Sequence, residues 1–307
     1  MISSIFGRTS PINFLILTVF VFLFMIITYA FHLDVSFGLG LVVKAVLSLI
    51  IIFFTLFLID FIDKKNHLSD RNSYISLFFV LILCLFPKIF HETNMLISNF
   101  FVLLAFRRVI SMRSNRDMEI KIFDASLWIF VAAFFYSWAI FFIVLVFLAL
   151  FLYKKNDYRN LLIPFVTLFV VTLLAFTYFF LSDNMEGFLL MLNFSPQFII
   201  EKYVDIKYIV PLVFMCIMGL WGLLFFFLKK KSKSFKARVP GLLVFSTLVI
   251  AILVAVVSES ANTSELIYVA FPIAVMMAKY VEWIKKEWLK EALIWMFVLV
   301  PLAVLFL

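Results

Sequence analysis

The feature that most limits how this chain can fold is a series of long apolar runs with charged residues mostly confined to their ends. A helix needs roughly 20 apolar residues to cross the hydrocarbon core of a membrane. Hydrophobic residues make up 66% of the chain and charged residues 14%, whereas soluble domains average about 45–50% and about 25%. The sequence therefore predicts an integral membrane protein. Its eleven candidate spans are residues 13–31, 38–61, 73–88, 93–107, 122–137, 139–153, 160–181, 208–228, 240–258, 264–281 and 291–307.

These spans are predicted to be helices, because their apolar residues follow one another without interruption. Strands of a membrane barrel instead alternate apolar and polar residues with a period of two. The expected fold is an all-α polytopic bundle of about eleven transmembrane helices, forming a single transmembrane domain over residues 1–307. The sequence also predicts two loops: an outer-face loop at 182–207 with short interfacial helices, and a basic cytoplasmic loop at 229–238. No GxxxG spacing occurs, so the 43 phenylalanines and seven glycines predict packing through bulky side chains.

The positions of lysine and arginine predict the orientation, because basic residues near span ends remain on the cytoplasmic side. With the N-terminus inside, 22 of the 26 basic residues lie in predicted inner segments. Lys88, Lys202 and Lys207 lie outside, and Lys44 lies within the second span. The predicted orientation has the N-terminus on the cytoplasmic side and the C-terminus on the outer side. The net charge of +8 is then mainly a topology signal and does not indicate nucleic-acid binding, because no aromatic platform accompanies the basic loop.

Motifs of several common enzyme classes are missing from the sequence. The chain has no Walker loop, no GxGxxG and no GxSxG, which argues against nucleotide hydrolysis and serine hydrolase chemistry. Its three histidines are predicted on both sides of the membrane, and neither HExxH nor CxxC spacing occurs. No metal and no cofactor is therefore predicted.

Acidic residues outnumber basic ones in the predicted outer loops. One explanation is that acids are tolerated wherever lysine and arginine are selected against. Asp34 and Glu92 favour a functional explanation, because each lies in a tight loop on a helix end, where an unpartnered carboxylate near hydrocarbon costs free energy. The predicted outer acids are Asp34, Glu92, Asp183, Glu186, Glu201, Asp205, Glu259 and Glu265.

Two lysines accompany these acids. Lys88 lies beside His91 and Glu92 in "FPKIFHETN". Lys44 lies about six residues into the second span, roughly 9 Å from its outer end at about 1.5 Å per residue. Its side chain either extends outward to the interface or pairs with Asp34 or a lipid headgroup. The 88–92 cluster is interpreted either as one wall of an outward-facing cavity for a lipid headgroup or as a solvated loop that caps two helices.

Three stretches carry a resemblance to a known family: "MISSIFGRTSPIN", "NFFVLLAFRR" and "IKIFDASLWIFVAAFFYSWAIFFIVLVFLALFLYKK". Through them, most of the chain resembles an uncharacterised family of multi-pass inner-membrane proteins from Bacteroidota of the flavobacterial kind. The resemblance implies a multi-pass protein of the bacterial inner membrane, with the N-terminus cytoplasmic and the C-terminus periplasmic, and brings no activity with it.

Part of the chain is also similar to the GT-C class of membrane glycosyltransferases. In "FPKIFHETNMLISNFFVLLAFRR" a proline and an acid precede an apolar helix that ends in basic residues, and "FDASLWIFVAAFFYSWAIFFIVLVFLAL" is similar to the next helix pair of those enzymes. The resemblance implies sugar transfer from a polyprenyl-phosphate donor at the outer face. Asp34 would be the catalytic base, Glu92 and His91 would orient the acceptor or a metal, and Lys44 or Lys88 would balance the leaving phosphate.

A non-catalytic alternative remains open, because the first outer loop is short and no arginine is predicted outside to hold a lipid phosphate. In that case the chain would be a membrane subunit or scaffold of an envelope glycan-export or secretion complex. The predicted partners are membrane lipid, a polyprenyl-phosphate sugar and other membrane proteins, with no nucleic acid.

Overall fold

A computed structural model describes residues 2–31, 38–114, 116–155, 157–191, 206–228, 235–258 and 263–305. Within these ranges the chain is helical, with short turns and no strand. Three short 3-10 helices occur at Pro87–Phe90, Ser137–Phe142 and Ser264–Leu266. The α-helices are α1 Ile2–Phe6, α2 Pro11–Phe31, α3 Leu39–Asn66, α4 Tyr74–Leu85, α5 Thr93–Ser111, α6 Met118–Phe135, α7 Ile143–Leu152, α8 Tyr158–Leu181, α9 Met185–Met191, α10 Ile206–Leu228, α11 Phe235–Val257, α12 Ile267–Trp283 and α13 Glu287–Val304.

Seven helical segments of the described chain are long and apolar enough to cross a membrane, namely α2, α3, α5, α8, α10, α11, and α12 together with the 3-10 helix Ser264–Leu266 before it. The prediction of an all-α multi-pass membrane protein is therefore confirmed. The other four predicted spans also fall on helical segments. Two of these segments, α4 and Ser137–Leu152, are shorter, and α6 and α13 carry several charges in their first two turns. The count of eleven spans stays a prediction.

The third predicted span ends earlier in the structure than in the prediction, because a proline interrupts the helix. The sequence predicts a helix as far as residue 88, but α4 ends at Leu85. Pro87 has no amide hydrogen and cannot continue the α-helical hydrogen bonding. It instead occupies the first position of the 3-10 helix Pro87–Phe90.

The two predicted loops are described in part. In the outer loop, Met185–Met191 is helical, and residues 192–205 lie outside the described residues. In the basic loop 229–238, residues 229–234 also lie outside them. Helix α11 begins at Phe235, so the last four residues of that predicted loop belong to a helix.

The chain divides into two compact units. Unit 1 contains Met1–Leu96, Ile199–Ser232 and Ser260–Leu307, and unit 2 contains Ile97–Phe198 and Lys233–Glu259. Helix α5 therefore begins in unit 1 and continues in unit 2.

Unit 1 is built around α4 and α12. All 12 residues of α4 are buried, and α12 packs along it and is buried without interruption from Ile267 to Ala278. Helices α2, α3 and α13 also contact α4. The outward faces of α2 and α3 expose isoleucine, leucine, valine and phenylalanine side chains. Lipid tails are as apolar as these side chains, so such faces are stable against the membrane.

A pair of glycines lets α10 approach α12 closely. A Cβ atom on Gly219 would lie 3.1 Å from Cδ1 of Ile273, and one on Gly222 would lie 3.1 Å from Sδ of Met277. The two glycines are three residues apart and so share one helix face. The same two helices also pack through bulky side chains, as in the contact of Phe225 with Tyr280, whose ring centroids lie 4.7 Å apart. The glycines therefore add a close contact to the bulky packing that the sequence predicts, at i,i+3 rather than GxxxG spacing.

Unit 1 has two polar ends, which we name after a residue of each. At the His91 end, α2 meets the segment after α4, where the Tyr29 hydroxyl donates a hydrogen bond to the Phe90 carbonyl over 3.1 Å. At the Glu282 end, the turn between α3 and α4 meets the end of α12, where the Asp70 amide donates to the Glu282 carboxylate over 2.6 Å.

Unit 2 combines α6, α7, α8, α9 and α11 with most of α5. Helices α6 and α8 pack against each other, and α11 packs against α7 and the 3-10 helix before it. Arg108 of α5 forms an ion pair with Asp124 of α6 at 2.8 Å. Near the opposite end of α5, Ser98 donates a hydrogen bond to the Ala132 carbonyl over 2.9 Å. These contacts hold α5 and α6 together along their length.

Candidate functional site

The segment after α4 is fixed by its apolar side chains and leaves its polar ones accessible. Ile89 and Phe90 are fully or almost fully buried, and the Phe90 carbonyl accepts the hydrogen bond from Tyr29. Lys88, His91 and Glu92 between and after them are partly exposed. The buried side chains of Ile89 and Phe90 thus hold the segment in place, and the three polar side chains of the same segment stay partly exposed.

His91 has an unused hydrogen-bonding atom. Its ring lies edge-on to the Tyr29 ring, with centroids 6.0 Å apart. Its Nδ1 atom is buried and has no hydrogen-bond partner among the residues that the structure describes. Leaving such an atom unpaired costs free energy, and a ligand that hydrogen-bonds to Nδ1 would recover that cost.

Lys88 is covered by an aromatic ring. Its Nζ atom lies 4.7 Å from the centre of the Tyr208 ring, at the start of α10. Among the described residues, no carboxylate lies within ion-pair distance of Lys88. A cation held by a ring face keeps its N–H donors, so Lys88 remains able to hydrogen-bond a phosphate.

The structure brings some of the predicted site residues together and leaves others apart. Lys88, His91 and Glu92 lie in one segment, and the Thr93 hydroxyl lies 3.0 Å from that of Ser48 on α3. Lys44 lies one turn before Ser48 on α3. Its side chain is exposed, as are the side chains of Val43 and Val46. Lys44 makes no ion pair within the described residues. Asp34, the predicted catalytic base, lies outside the described residues.

Glu265 is the site residue that sequence reasoning did not single out. It is one of eight predicted outer acids, yet its side chain is fully buried, as is that of Ser264. Both lie in the 3-10 helix Ser264–Leu266, which packs against Pro87–Phe90. Within the described part of the chain, the Ser264 hydroxyl has no hydrogen-bond partner. A fully buried acid in a membrane protein usually indicates a functional site, and here it lies beside the Lys88 segment.

Comparison with protein families identifies the chain at the family level. A model of the family of unknown function DUF6427 matches residues 7–307. The chain belongs to the DUF6427 family. No curated protein and no solved structure matches it. For this DUF6427 chain, function must therefore be inferred from the chemistry of its own residues.

The Glu282 end of the DUF6427 chain is also polar, and its two least exposed carboxylates, those of Glu282 and Asp63, are hydrogen-bonded by neighbouring groups. Glu282 accepts hydrogen bonds from the Asp70 amide and the Asn72 side chain, both at 2.6 Å, and from Lys279 at 2.9 Å. The buried Asp63 carboxylate accepts hydrogen bonds from the amide and hydroxyl of Ser69. Such internal pairing is typical of a structural network, so the His91 end is the better candidate for ligand binding.

Metal binding has no support from the described part of the chain. No group of three histidine, cysteine, aspartate or glutamate side chains is arranged there to hold an ion. The His91 end contains the Lys88 cation, the His91 imidazole and the partly exposed Glu92 carboxylate, and the Glu265 carboxylate beside them is fully buried. These groups suit a ligand that has both a negative charge and hydroxyl groups.

Proposed function

We propose that this protein handles a polyprenyl-phosphate-linked sugar at the outer face of the bacterial inner membrane, within a GT-C-like helical bundle of about eleven spans. The observation that carries the proposal is the arrangement of Lys88 and His91. One rigid segment carries a cation with available donors and an imidazole with an unpaired nitrogen, next to the buried Glu265. A phosphate and a sugar hydroxyl are ligands that these two groups can bind together.

In this proposal the segment lies at the boundary between water and hydrocarbon, where the headgroup of a lipid-linked ligand would be located. The segment joins α4 to α5, and the lysine and arginine distribution puts that junction outside. The polyprenyl chain would lie along the apolar helix faces, and its phosphate would reach Lys88. Lys44, exposed among apolar side chains, is a second cation for the same lipid surface.

In the catalytic form of the proposal, the acceptor hydroxyl oxygen attacks the anomeric carbon of the donor sugar. The bond from that carbon to the phosphate oxygen breaks, and the electron pair leaves with polyprenyl phosphate. Asp34 takes the proton of the acceptor hydroxyl. Glu92 and His91 orient the acceptor, and Lys88 balances the charge that grows on the leaving phosphate.

A second candidate is a non-catalytic subunit of an envelope glycan-export or secretion complex. The contact of Lys88 with Tyr208 favours this candidate, because a lysine that is held by a protein ring has a structural role without any ligand. The two candidates differ in whether Lys88 contributes to lipid-phosphate binding.

Substitution of Lys88 tests this difference directly. We expect Lys88→Gln to weaken binding of polyprenyl phosphate by the purified protein roughly tenfold, because a charge-assisted hydrogen bond contributes about 1.5–3 kcal/mol. Retention of polyprenyl phosphate would be measured by native mass spectrometry, with uncharged polyprenol as the control ligand. Lys64→Gln, on a lysine exposed at the other end of unit 1, is the matched control variant. Equal retention by wild type and Lys88→Gln would favour the subunit candidate.

A further inference from the structure

Unit 2 contains a cleft that the proposed function does not use. It lies where α6 and α8 begin, and its volume is about 720 Å³. Ligand sites in proteins commonly have volumes of about 300–1,000 Å³. The charged residues that line the cleft are two cations and three acids: Lys155, Arg159, Asp117, Glu119 and Asp157.

Among the described residues, none of these five charged side chains forms an ion pair. The Arg159 Nε atom donates only to the hydroxyl of its neighbour Tyr158, over 3.2 Å. The cleft therefore contains both cations and carboxylates that are not paired with one another.

An apolar cleft continues from the polar one. Its volume is about 440 Å³, and it shares Glu119, Ile120 and Arg159 with the polar cleft. Its remaining lining is apolar: Phe123, Ile163 and Val166. At about 1.5 Å per residue, Val166 lies roughly 10 Å along α8 from Arg159. The combined cleft thus changes from charged to apolar along the direction of the helices.

We propose that this combined cleft binds a phospholipid with a zwitterionic ethanolamine headgroup. Arg159 and Lys155 bind the phosphate, which also lies near the positive ends of two helix dipoles. The carboxylates accept hydrogen bonds from the primary ammonium group, and one acyl chain lies along Phe123 and Val166. An anionic headgroup would meet three carboxylates against two cations, so the charges of the cleft disfavour it.

The choice of ethanolamine over choline follows from hydrogen bonding. A primary ammonium has three N–H donors for the carboxylates, whereas a trimethylated ammonium has none. Choline sites instead use a cage of several aromatic rings, and Tyr158 is the only aromatic residue that lines the polar cleft. The lining therefore selects for a headgroup that donates hydrogen bonds.

The test measures which lipids stay on the purified full-length protein. Mixed micelles containing equal amounts of phosphatidylethanolamine, phosphatidylcholine and phosphatidylglycerol would be exchanged onto the protein, and bound lipid counted by native mass spectrometry. We expect phosphatidylethanolamine to be retained roughly tenfold over the other two lipids, and Arg159→Gln and Glu119→Gln each to remove most of that preference. Arg116→Gln, on an exposed arginine that does not line the cleft, is expected to keep it.

Three results would overturn the proposal. They are equal retention of the three lipids, preferential retention of phosphatidylglycerol, and an unchanged preference in both cleft variants. Arg159 and Glu119 are exposed, so both variants are expected to fold, and unchanged thermal unfolding would verify this. Polyprenyl-phosphate binding at Lys88 is measured separately, so failure here leaves the proposed function untouched.

Discussion

Replacing Glu282 with alanine is expected to lower the free energy of unfolding by roughly 2–4 kcal/mol. The Glu282 carboxylate is 9% exposed and accepts three hydrogen bonds, from Asp70, Asn72 and Lys279. Alanine would leave the buried Asn72 amide and the Lys279 ammonium without this partner. Because the bonds from Asp70 and Asn72 connect the turn after α3 to the end of α12, their loss would also loosen that turn.

Equilibrium unfolding in mixed micelles, followed by tryptophan fluorescence, measures this effect. Glu282→Gln is expected to give an intermediate loss of unfolding free energy. The glutamine side-chain oxygen still accepts hydrogen bonds from Asp70 and Asn72, but the NH₂ group would face the Lys279 ammonium and could not accept from it. Glu287→Ala is the control, because the Glu287 carboxylate that pairs with Lys290 is 72% exposed. An exposed carboxylate in an ion pair contributes about 0–1 kcal/mol. Equal losses in Glu282→Ala and Glu287→Ala would contradict the structural network at this end.

Replacing Gly222 with valine is expected to destabilise unit 1 by roughly 1–3 kcal/mol through overpacking. A Cβ atom at this position would already lie 3.1 Å from Sδ of Met277 and 3.4 Å from Cβ of Met276. The flexible thioether can move, but the Met276 Cβ is fixed by the backbone of α12. The two additional methyl groups of valine would therefore push α10 away from α12.

Gly40→Ala is the matched control for this substitution. Gly40 lies in α3, and an added Cβ atom meets nothing within 4 Å. Alanine favours a helix over glycine, so this variant is expected to be as stable as wild type or more stable by up to about 1 kcal/mol. The unfolding assay used for Glu282 compares the two. An unchanged free energy of unfolding in Gly222→Val would show that α10 and α12 do not depend on close packing at this glycine.

Most of the helices could be predicted because the membrane requires a simple pattern of long apolar runs. Their ends were harder to predict, because local chemistry sets them. Pro87 ended α4 earlier than hydropathy indicated, and Phe235 extended α11 into a basic stretch. The glycine contact of α10 was missed because its spacing is i,i+3, and only the position of α12 reveals what the glycines face.

The candidate site could be predicted only where its residues are neighbours in the chain. Lys88, His91 and Glu92 were expected together and lie in one segment. Their partners Tyr29 and Tyr208 are far away in sequence, so no local pattern indicated these contacts. Glu265 resembles the other outer acids in sequence, and its burial follows only from how α12 packs inside unit 1.

The proposed action of this DUF6427 chain on a lipid-linked sugar, through the His91 end, is tested most directly by an envelope glycolipid profile. The profile compares a deletion strain complemented with wild type, Asp34→Asn, Glu92→Gln or Glu265→Gln, each present in the membrane in equal amount. We expect the deletion to remove or truncate a glycan that wild type restores and that Asp34→Asn and Glu92→Gln do not, because a carboxylate is needed to bind or deprotonate the acceptor. Glu265→Gln is expected to restore it poorly. Full restoration by Asp34→Asn and Glu92→Gln would contradict the catalytic account and favour the non-catalytic subunit.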